Sequence, residues 1–171
     1  NNFRIFGMGG SSLGAEAIYN FLSNKIFKNF SFINDLDIST RNRKDKNCLN
    51  LIISKSGETI ETIVNSNILI NRFKKNIFIT ENRKNYLHKL AQKLKAEIIH
   101  HNNFIGGRYS VLSETGMLPA ELMGLDSKKF RQLNNLVRNK KYLNSLIANV
   151  ESIIFFMTKK KNNSIILNFN K

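Results

Sequence analysis

The sequence predicts an α/β domain in which helices flank a doubly wound parallel sheet of five strands. Short apolar runs alternate along the chain with longer amphipathic stretches, and parallel strands read as apolar runs because both of their faces are buried. Several of these runs lead directly into turns rich in Gly, Ser and Thr, which is typical of strand-to-helix connections. With 171 residues, 42% of them hydrophobic, the chain is long enough for one good core and too short for two large domains.

The apolar runs and the amphipathic stretches locate the elements of this layer in order. The predicted strands cover residues 3–6, 30–33, 49–53, 77–80 and 97–99. The predicted helices between them cover residues 12–27, 59–72 and 85–94. The first helix keeps its apolar residues on one face, at the spacing that packs on a sheet: Leu13, Ala17, Ile18, Phe21 and Leu22.

The rest of the chain reads as helical. The predicted helices cover 112–123, 127–137 and 144–157, and Pro119, the only proline, is expected to kink or break the first of them. A strand-like segment follows at 164–169, with nothing after it to cover its faces. We therefore expect a domain over residues 1–125, a helical connector over 126–160, and the first strand of a truncated second domain over 161–171.

The composition narrows the classes of function. A net charge of +15 would ordinarily suggest nucleic-acid binding, but the Lys and Arg residues are scattered in short groups. A solvated basic surface is the preferred interpretation, and nucleic-acid binding is a minor alternative. No apolar run approaches the roughly 20 residues that span a bilayer. The single Cys48 fits a cytoplasmic setting, and His88, His100 and His101 show no zinc-ligand spacing, so no metal or other cofactor is predicted.

Three loops rich in glycine and hydroxyl groups point to function, and the first is GMGGSSLG at residues 7–14. Ligands of open α/β sheets bind beyond the carboxyl ends of the strands, where helix N-termini offer unpaired N–H groups. Gly9 and Gly10 let the backbone approach an anion, and Ser11 is expected both to cap the helix and to donate to a ligand. A plain turn with a serine cap is an equal alternative, and the glycine spacing does not match a dinucleotide fingerprint.

The second loop, SKSGETIET at residues 54–62, predicts a phosphate site. Ser54, Lys55, Ser56, Gly57 and Thr59 place three hydroxyls, a cation and a flexible backbone at one strand end. A tetrahedral phosphate needs several donors arranged around it, and this set supplies them. The spacing is not that of a nucleoside-triphosphate loop, which argues against ATP hydrolysis. A helix-capping box is the structural alternative.

The third loop, GGRYSVLS at residues 106–113, presents one arginine between glycines and a Tyr-Ser pair. Gly106 and Gly107 are expected to free the backbone so that Arg108 points into the same cleft. A preorganised arginine would stabilise negative charge that develops on a substrate oxygen. Together the three loops predict a site for a phosphorylated small molecule.

These motifs, in this order, resemble the sugar isomerase (SIS) domain of the glucose-6-phosphate isomerase family. The segment GGRYSVLSETGMLPAELMGLD at residues 106–126 is the most specific match, and the resemblance covers nearly the whole chain. It implies a flavodoxin-like sheet, phosphate binding by residues 54–59, and stabilisation of an enediolate by Arg108 as the catalytic residue. The substrate-binding residues that the resemblance implies are Gly10, Ser11, Ser54, Lys55, Ser56, Gly57, Glu58, Thr59 and Gly107.

Two departures from the family pattern stand out. Glu58 occupies a position where many members carry a small hydroxyl residue, and its GET triplet also occurs in SIS domains of amidotransferases. The glutamate base, the histidine and the ring-opening lysine of the family lie in its later half, and no segment here matches them. We therefore expect these 171 residues to bind sugar phosphate weakly without isomerising it.

The resulting hypothesis is one part of an aldose–ketose isomerase that interconverts glucose 6-phosphate and fructose 6-phosphate through an enediol, without a cofactor. The resemblance implies a homodimer for the full-length protein. The scattered charges and the short apolar runs predict neither nucleic acid nor membrane as a partner. A non-catalytic SIS module that senses a phosphosugar is the first alternative. Another phosphosugar isomerase of the superfamily, including forms that accept mannose 6-phosphate, is the second.

Overall fold

The computed structural model describes residues 2–36, 48–70, 72 and 75–159. The chain divides into two compact units, Asn1–Ser127 and Lys128–Lys171. The first unit contains a sheet of five parallel strands, β1 (Asn2–Phe6), β2 (Asn29–Ile33), β3 (Cys48–Ile53), β4 (Lys75–Glu81) and β5 (Glu97–His101). Each strand contains its predicted segment. The order β2-β1-β3-β4-β5 confirms the predicted doubly wound, flavodoxin-like layer.

The α-helices of the described residues follow the strands and then continue alone. They are α1 (Leu13–Phe21), α2 (Ile60–Leu69), α3 (Tyr86–Leu94), α4 (Glu114–Leu122), α5 (Ser127–Phe130), α6 (Asn134–Val137) and α7 (Lys140–Thr158). None of these helices is long and apolar enough to cross a membrane.

One face of the sheet is covered by α2 and α3. The register places Phe6, Ile52 and Phe78 side by side on adjacent strands, so their side chains form one layer. Leu87 and Ala91 of α3 complete this buried cluster, and α2 packs against it. This layer is one buried hydrophobic cluster of the first unit.

The opposite face carries an aromatic cluster beneath α1. Phe3 and Phe30 stack with ring centroids 4.7 Å apart, because the register pairs them on β1 and β2. Tyr19 of α1 tilts over Phe30 at 5.6 Å. The ammonium of Lys28 lies 5.6 Å from the Phe3 ring and donates to the carbonyl of Leu122 at 2.7 Å, which ties the end of α4 to the same face. Helices therefore flank both faces, as the sequence predicts.

The first helix ends earlier than the sequence pattern indicates. The prediction extends it to residue 27, whereas α1 ends at Phe21 and a 3-10 turn follows at Ser23–Lys25. Ser and Asn at positions 23 and 24 compete for backbone hydrogen bonds and favour turns over helix interiors. The prediction extended the helix through the apolar residues that follow, but Phe27 is almost fully exposed.

The third helix ends at Leu94, as predicted, although no glycine follows it. Asn85 caps α3 by accepting a hydrogen bond from the amide of His88 at 2.8 Å. Lys95 terminates it with φ of +52°, a left-handed conformation usually taken by glycine. The amide of Ala96 then donates to the carbonyl of Ala91 at 2.9 Å, so the last turn is closed by backbone bonds.

The helical part after the sheet differs from the prediction in three places. Helix α4 begins at Glu114, because the preceding residues Gly107–Leu112 form a 3-10 helix, and Pro119 lies inside α4 without ending it. The single helix predicted over 127–137 is two short helices separated by the 3-10 turn Arg131–Leu133. Helix α7 starts four residues earlier than predicted, where Asn139 caps it. The strand predicted at 164–169 lies outside the described residues.

Replacing Phe78 with alanine tests the assignment of the core. Phe78 has no exposed surface, so Phe78→Ala should leave a cavity and lower the free energy of unfolding by about 3–5 kcal/mol. The matched control is Phe27→Ala, because the side chain of Phe27 is 96% exposed; it should change that free energy by less than about 0.5 kcal/mol. Urea unfolding followed by circular dichroism measures both, and equal effects would contradict the described core.

Candidate functional site

The candidate site lies at the carboxyl ends of the parallel strands, where the winding of the sheet changes direction. From β1 the chain moves outward to β2 and returns to β3 on the other side of β1. Helix α1 follows β1 and covers one face, while α2 follows β3 and covers the other. The loops after these adjacent strands therefore diverge and leave a crevice, which is where ligands bind in such sheets. We refer to residues 7–12 as the β1 loop, 54–59 as the β3 loop and 102–113 as the β5 loop.

The β1 loop turns tightly into α1. Gly9 has φ of +53°, which glycine adopts without a steric penalty, and it opens the 3-10 turn Gly9–Ser11. This turn delays the start of α1, so Ser12 is its N-cap residue and the expectation that Ser11 caps the helix is wrong. The hydroxyl of Ser12 is buried and makes no hydrogen bond to any residue that the structure describes. Ser11 remains half-buried at the mouth of the crevice.

The β5 loop reaches across the end of the sheet to the β1 loop. The hydroxyl of Ser110 bridges two carbonyl oxygens, that of Gly107 at 2.7 Å and that of Gly10 at 3.3 Å. A Cβ atom at Gly10 would lie 2.1 Å from the carbonyl oxygen of Gly107. The two loops therefore touch through backbone atoms, and glycine is required at position 10.

The β5 loop is braced from inside by hydroxyl groups. Ser110 is buried, and its carbonyl accepts hydrogen bonds from the hydroxyls of Ser113 at 2.6 Å and Thr115 at 2.7 Å. A Cβ at Gly116 would lie 2.1 Å from the carbonyl oxygen of Val111, so the loop also rests directly on α4. These contacts give the loop a defined shape.

The paired glycines of this loop do not have the predicted conformational role. Gly106 has φ of −70° and ψ of 149°, which most residues can adopt, and Gly107 is not among the glycines with positive φ. A Cβ at Gly107 would meet nothing within 4 Å. The loop conformation thus requires neither glycine, and the constraint falls on Gly10 instead. The open space beside Gly107 lets a ligand approach the backbone there.

Hydroxyl groups also organise the β3 loop from within. The hydroxyl of Ser54, which is buried, lies 2.9 Å from the hydroxyl of Thr59 and accepts from the amide of Gly57 at 3.2 Å. Gly57 has φ of +67°, and a Cβ there would lie 2.1 Å from the side-chain oxygen of Asn85. The carbonyl of Gly57 accepts from the amide of Leu87 at 3.2 Å, so the start of α3 holds the loop.

The other groups of the β3 loop are more accessible. The first N–H groups of a helix have no intrahelical partner. Thr59 is the N-cap residue of α2, and its side chain makes no capping bond to these groups. The positive end of the helix dipole lies at the same place and favours an anion. Ser56 is half-buried, and its hydroxyl accepts from the amide of Glu58 at 3.2 Å. Glu58 is exposed, so its charge stays in water and is not buried against an anion.

Lys55 joins the β3 loop to the β5 loop. Its ammonium donates to the carbonyls of Asn103 at 2.8 Å and Ile105 at 2.9 Å, and it lies 3.4 Å from a carboxylate oxygen of Glu81. Glu81 also pairs with Arg83 at 3.1 Å. To contact a phosphate, as the sequence predicts, the Lys55 ammonium would have to leave these partners. In the described arrangement it positions the β5 loop.

Arg108 is a cation of the β5 loop whose side chain is available to a ligand. It is exposed, and it makes no hydrogen bond or ion pair with any residue in the described ranges. Its backbone lies between two anchors of the β5 loop, Ile105, held by Lys55, and Ser110, held against Gly10. The guanidinium is thus presented by a braced backbone and is free to meet an anionic group.

Sequence reasoning missed two features that hold the site together. The sequence predicts no zinc site at His101 and gives this residue no other role, yet its ring pairs with Glu114 and contacts the carbonyl of Ile105 at 3.1 Å. Asn85 donates to Thr80 at 3.0 Å and lies against Gly57. No sequence spacing signals the contact of His101 with Glu114 or that of Asn85 with Gly57, because each joins segments that come together only in the folded domain. Among the described residues no group of three or more His, Cys, Asp or Glu side chains is placed to hold a metal ion.

Known proteins resemble this chain in sequence. A family model described as phosphoglucose isomerase matches residues 2–152. The chain is 32% identical to the glucose-6-phosphate isomerase of Methanocaldococcus jannaschii over 96% of this chain and 44% of that protein. It is 32% identical to that of Mycoplasmoides gallisepticum over 73% of this chain and 33% of that protein. The chain therefore spans less than half the length of the curated relatives it matches.

Solved structures share the fold. A hypothetical protein of Thermus thermophilus superposes with a TM-score of 0.67 at 24% identity, covering 81% of this chain and 37% of that one. The NanR protein of Vibrio vulnificus, solved in complex with ManNAc-6P, superposes with a TM-score of 0.53 at 18% identity, covering 90% of this chain and 55% of that one. At these identities the likeness supports the doubly wound fold alone.

A methyl group at position 10 tests the contact between the β1 and β5 loops. Gly10→Ala should lower the free energy of unfolding by about 1–3 kcal/mol, because the new Cβ overlaps the Gly107 carbonyl. Gly107→Ala is the matched control, since its Cβ enters open space, and it should change that free energy by less than about 0.5 kcal/mol. Urea unfolding measures both. A greater loss from the Gly107 substitution would contradict the described contact.

Removing the Lys55 ammonium tests the link between the β3 and β5 loops. Lys55→Met keeps most of the aliphatic chain and should lower the free energy of unfolding by about 1–3 kcal/mol, because two carbonyls lose a charged donor. Lys84→Met, at an exposed position, is the control and should have almost no effect. Amide hydrogen exchange should also be faster at Ile105 in the Lys55 variant. Unchanged exchange there would show that the ammonium does not hold the loop.

Proposed function

Because the chain belongs to the phosphoglucose isomerase family, we propose that it binds a sugar phosphate at its β1, β3 and β5 loops and takes part in the interconversion of glucose 6-phosphate and fructose 6-phosphate. The observation that supports this most strongly is the meeting of the β1 and β5 loops beside the β3 loop at the switch point of the sheet. The Ser110 bridge to Gly10 brings the arginine-bearing loop to the crevice. The three loops then frame one ligand.

The phosphate belongs at the β3 loop in this proposal. The amides at the start of α2 and the hydroxyls of Thr59 and Ser56 are donors, and Ser54 holds Thr59 in place from below. Hydrogen bonds to an ionised phosphate are stronger than those between neutral groups, so a few such donors suffice to hold the ligand. The exposed Glu58 lies outside this set.

The sugar then extends from the β3 loop toward the β1 and β5 loops. Gly10 and Ser11 line one side, and the open space beside Gly107 admits the sugar close to the backbone. Arg108 follows directly and has no competing partner among the described residues. Its guanidinium would stabilise the negative charge that develops on the enediolate oxygen as the proton moves between C1 and C2.

The reaction also needs a base that removes a proton from carbon, and Glu58, Glu81 and Glu114 do not suit that task. Glu81 is paired with Lys55 and Arg83, Glu114 is paired with His101, and Glu58 is exposed. We therefore assign the base to residues outside the three loops. These 171 residues are proposed to bind sugar phosphate without turning it over.

The same family membership supports a proposal for the assembly, the compartment and the partners of the protein. We propose that the full-length protein is a homodimer and works in the cytoplasm, with sugar phosphate as its ligand and neither nucleic acid nor membrane as a partner. The net charge of +15 is then a solvated basic surface that also attracts anionic substrates.

Titration calorimetry with the 171-residue chain tests the binding proposal. Glucose 6-phosphate and fructose 6-phosphate should bind, and free glucose should not. Thr59→Val removes one donor to an ionised phosphate and should weaken glucose 6-phosphate binding by about 10- to 100-fold. Arg108→Met should weaken sugar phosphate binding while leaving inorganic phosphate almost unaffected. Arg138→Met, at an exposed position beyond the sheet, is the charge-matched control and should bind like the unmodified chain.

Four results would contradict the proposal in different ways. Equal loss of affinity in the Arg108 and Arg138 variants would show that net charge, not the site, attracts the ligand. Strong salt-dependent binding of duplex DNA, unaffected by glucose 6-phosphate, would favour a nucleic-acid function. Measurable isomerisation by the 171 residues would place the base within this chain. Tighter binding of mannose 6-phosphate than of glucose 6-phosphate would favour another phosphosugar isomerase.

A further inference from the structure

The buried ring of His101 lies at the base of the β5 loop, between two oxygen atoms. Its Nδ1 pairs with a carboxylate oxygen of Glu114, and its Nε2 lies 3.1 Å from the carbonyl oxygen of Ile105. His101 is 2% exposed, so its ring is shielded from water, while the side chain of Glu114 is 25% exposed. A neutral imidazole has one donor nitrogen and one acceptor nitrogen, whereas an imidazolium has two donors. With Glu114 ionised, both contacts are hydrogen bonds at once only when both ring nitrogens carry a proton.

Glu114 supplies the charge that a buried imidazolium needs. The same carboxylate oxygen accepts from the amide of Asn102 at 3.1 Å, as an ionised carboxylate does. A buried cation without a partner is costly, and one that is paired and hydrogen-bonded is tolerated. Glu114 is the first residue of α4 and Asn102 the first of the β5 loop, so this carboxylate joins the two ends of the loop.

The carbonyl of Ile105 is held from two sides. It accepts from Nε2 of His101 and from the ammonium of Lys55 at 2.9 Å, which uses both of its lone pairs. His101 ends β5 and Lys55 follows β3, so two strands fix one point of the loop. This point lies three residues before Arg108.

The position of Arg108 depends on that point because the arginine has no partner of its own among the described residues. Its backbone is fixed upstream at Ile105 and downstream at Ser110. If the upstream anchor were lost, the guanidinium would remain in the chain but sample a wider region of the crevice. A ligand would then have to order it on binding, which lowers affinity.

We propose that His101 and Glu114 form an imidazolium–carboxylate pair that clamps the β5 loop at Ile105 and so positions Arg108 for the sugar. His101 and Glu114 are positioning residues, and neither touches the ligand. The effect on the sugar rests on the proposed function, whereas the charged state of the pair does not.

Nitrogen-15 NMR of the complete 171-residue chain, labelled at histidine, tests the charged state. At neutral pH His101 should show a directly bonded proton on each ring nitrogen. His100, which is exposed, provides a second histidine signal for comparison in the same spectrum. Glu114→Gln keeps an oxygen acceptor for His101 and Asn102 but removes the charge, and one proton signal of His101 should disappear. A single protonated nitrogen in the unmodified chain would overturn the proposal.

Binding by the same variant tests the positioning role. Glu114→Gln should weaken glucose 6-phosphate binding about tenfold, the scale of one hydrogen bond to a charged group, and should leave inorganic phosphate binding unchanged. A general loss of stability would weaken both ligands alike. His100→Gln is the matched control and should leave both affinities unchanged. Unchanged glucose 6-phosphate affinity in the Glu114 variant would overturn the positioning role.

Amide hydrogen exchange separates failure of this proposal from failure of the proposed function. In Glu114→Gln the amides of Ile105 and Tyr109 should exchange about tenfold faster, while that of Ser12 in the β1 loop should not change. If the unmodified chain binds no sugar phosphate but shows this pattern, the proposed function fails and the clamp stands. If sugar phosphate binds and the exchange rates do not change, the clamp fails and the proposed function stands.

Discussion

The approach of the Gly107 carbonyl to Gly10 is the contact on which the arrangement of the site depends. Strands β1 and β5 are separated in the sheet by β3 and β4, so the β5 loop crosses two strands before it reaches the β1 loop. A Cβ at Gly10 would lie 2.1 Å from that carbonyl oxygen, and no side chain can be accommodated at such a distance. Ser110 then secures the crossing by bridging the two glycine carbonyls. This contact places an arginine from the far side of the sheet beside the crevice.

The polar residues of the site divide into those that shape the loops and those that remain available. Ser54, Ser110 and His101 are buried, and their side chains are bonded to the loops themselves. Arg108 is exposed, and the first amides of α2 are open. The division has a physical basis, since a buried polar group must be satisfied within the protein while an exposed group can exchange water for a ligand. Preorganisation of this kind lowers the cost of binding.

Much of the fold could be predicted because its signals are local. The strands lie at their predicted positions, since apolar runs of this length are buried on both faces of a parallel sheet. Helix ends were predicted less well, as at Phe21, where α1 ends six residues before its predicted end at residue 27. For the site, the three loops could be identified from composition. The role of Lys55 could not, because its partners at residues 103 and 105 are remote in sequence.

The sequence by itself determined the doubly wound layer, the three polar loops and their positions after β1, β3 and β5, because strand periodicity and turn chemistry act over a few residues. Only the tertiary structure decided which groups in those loops face each other. In the folded chain Ser12 is the N-cap residue of α1, Lys55 donates to backbone carbonyls, and His101 pairs with Glu114. Such contacts depend on strand order and register, which bring distant segments to one edge of the sheet, and no local pattern encodes that proximity.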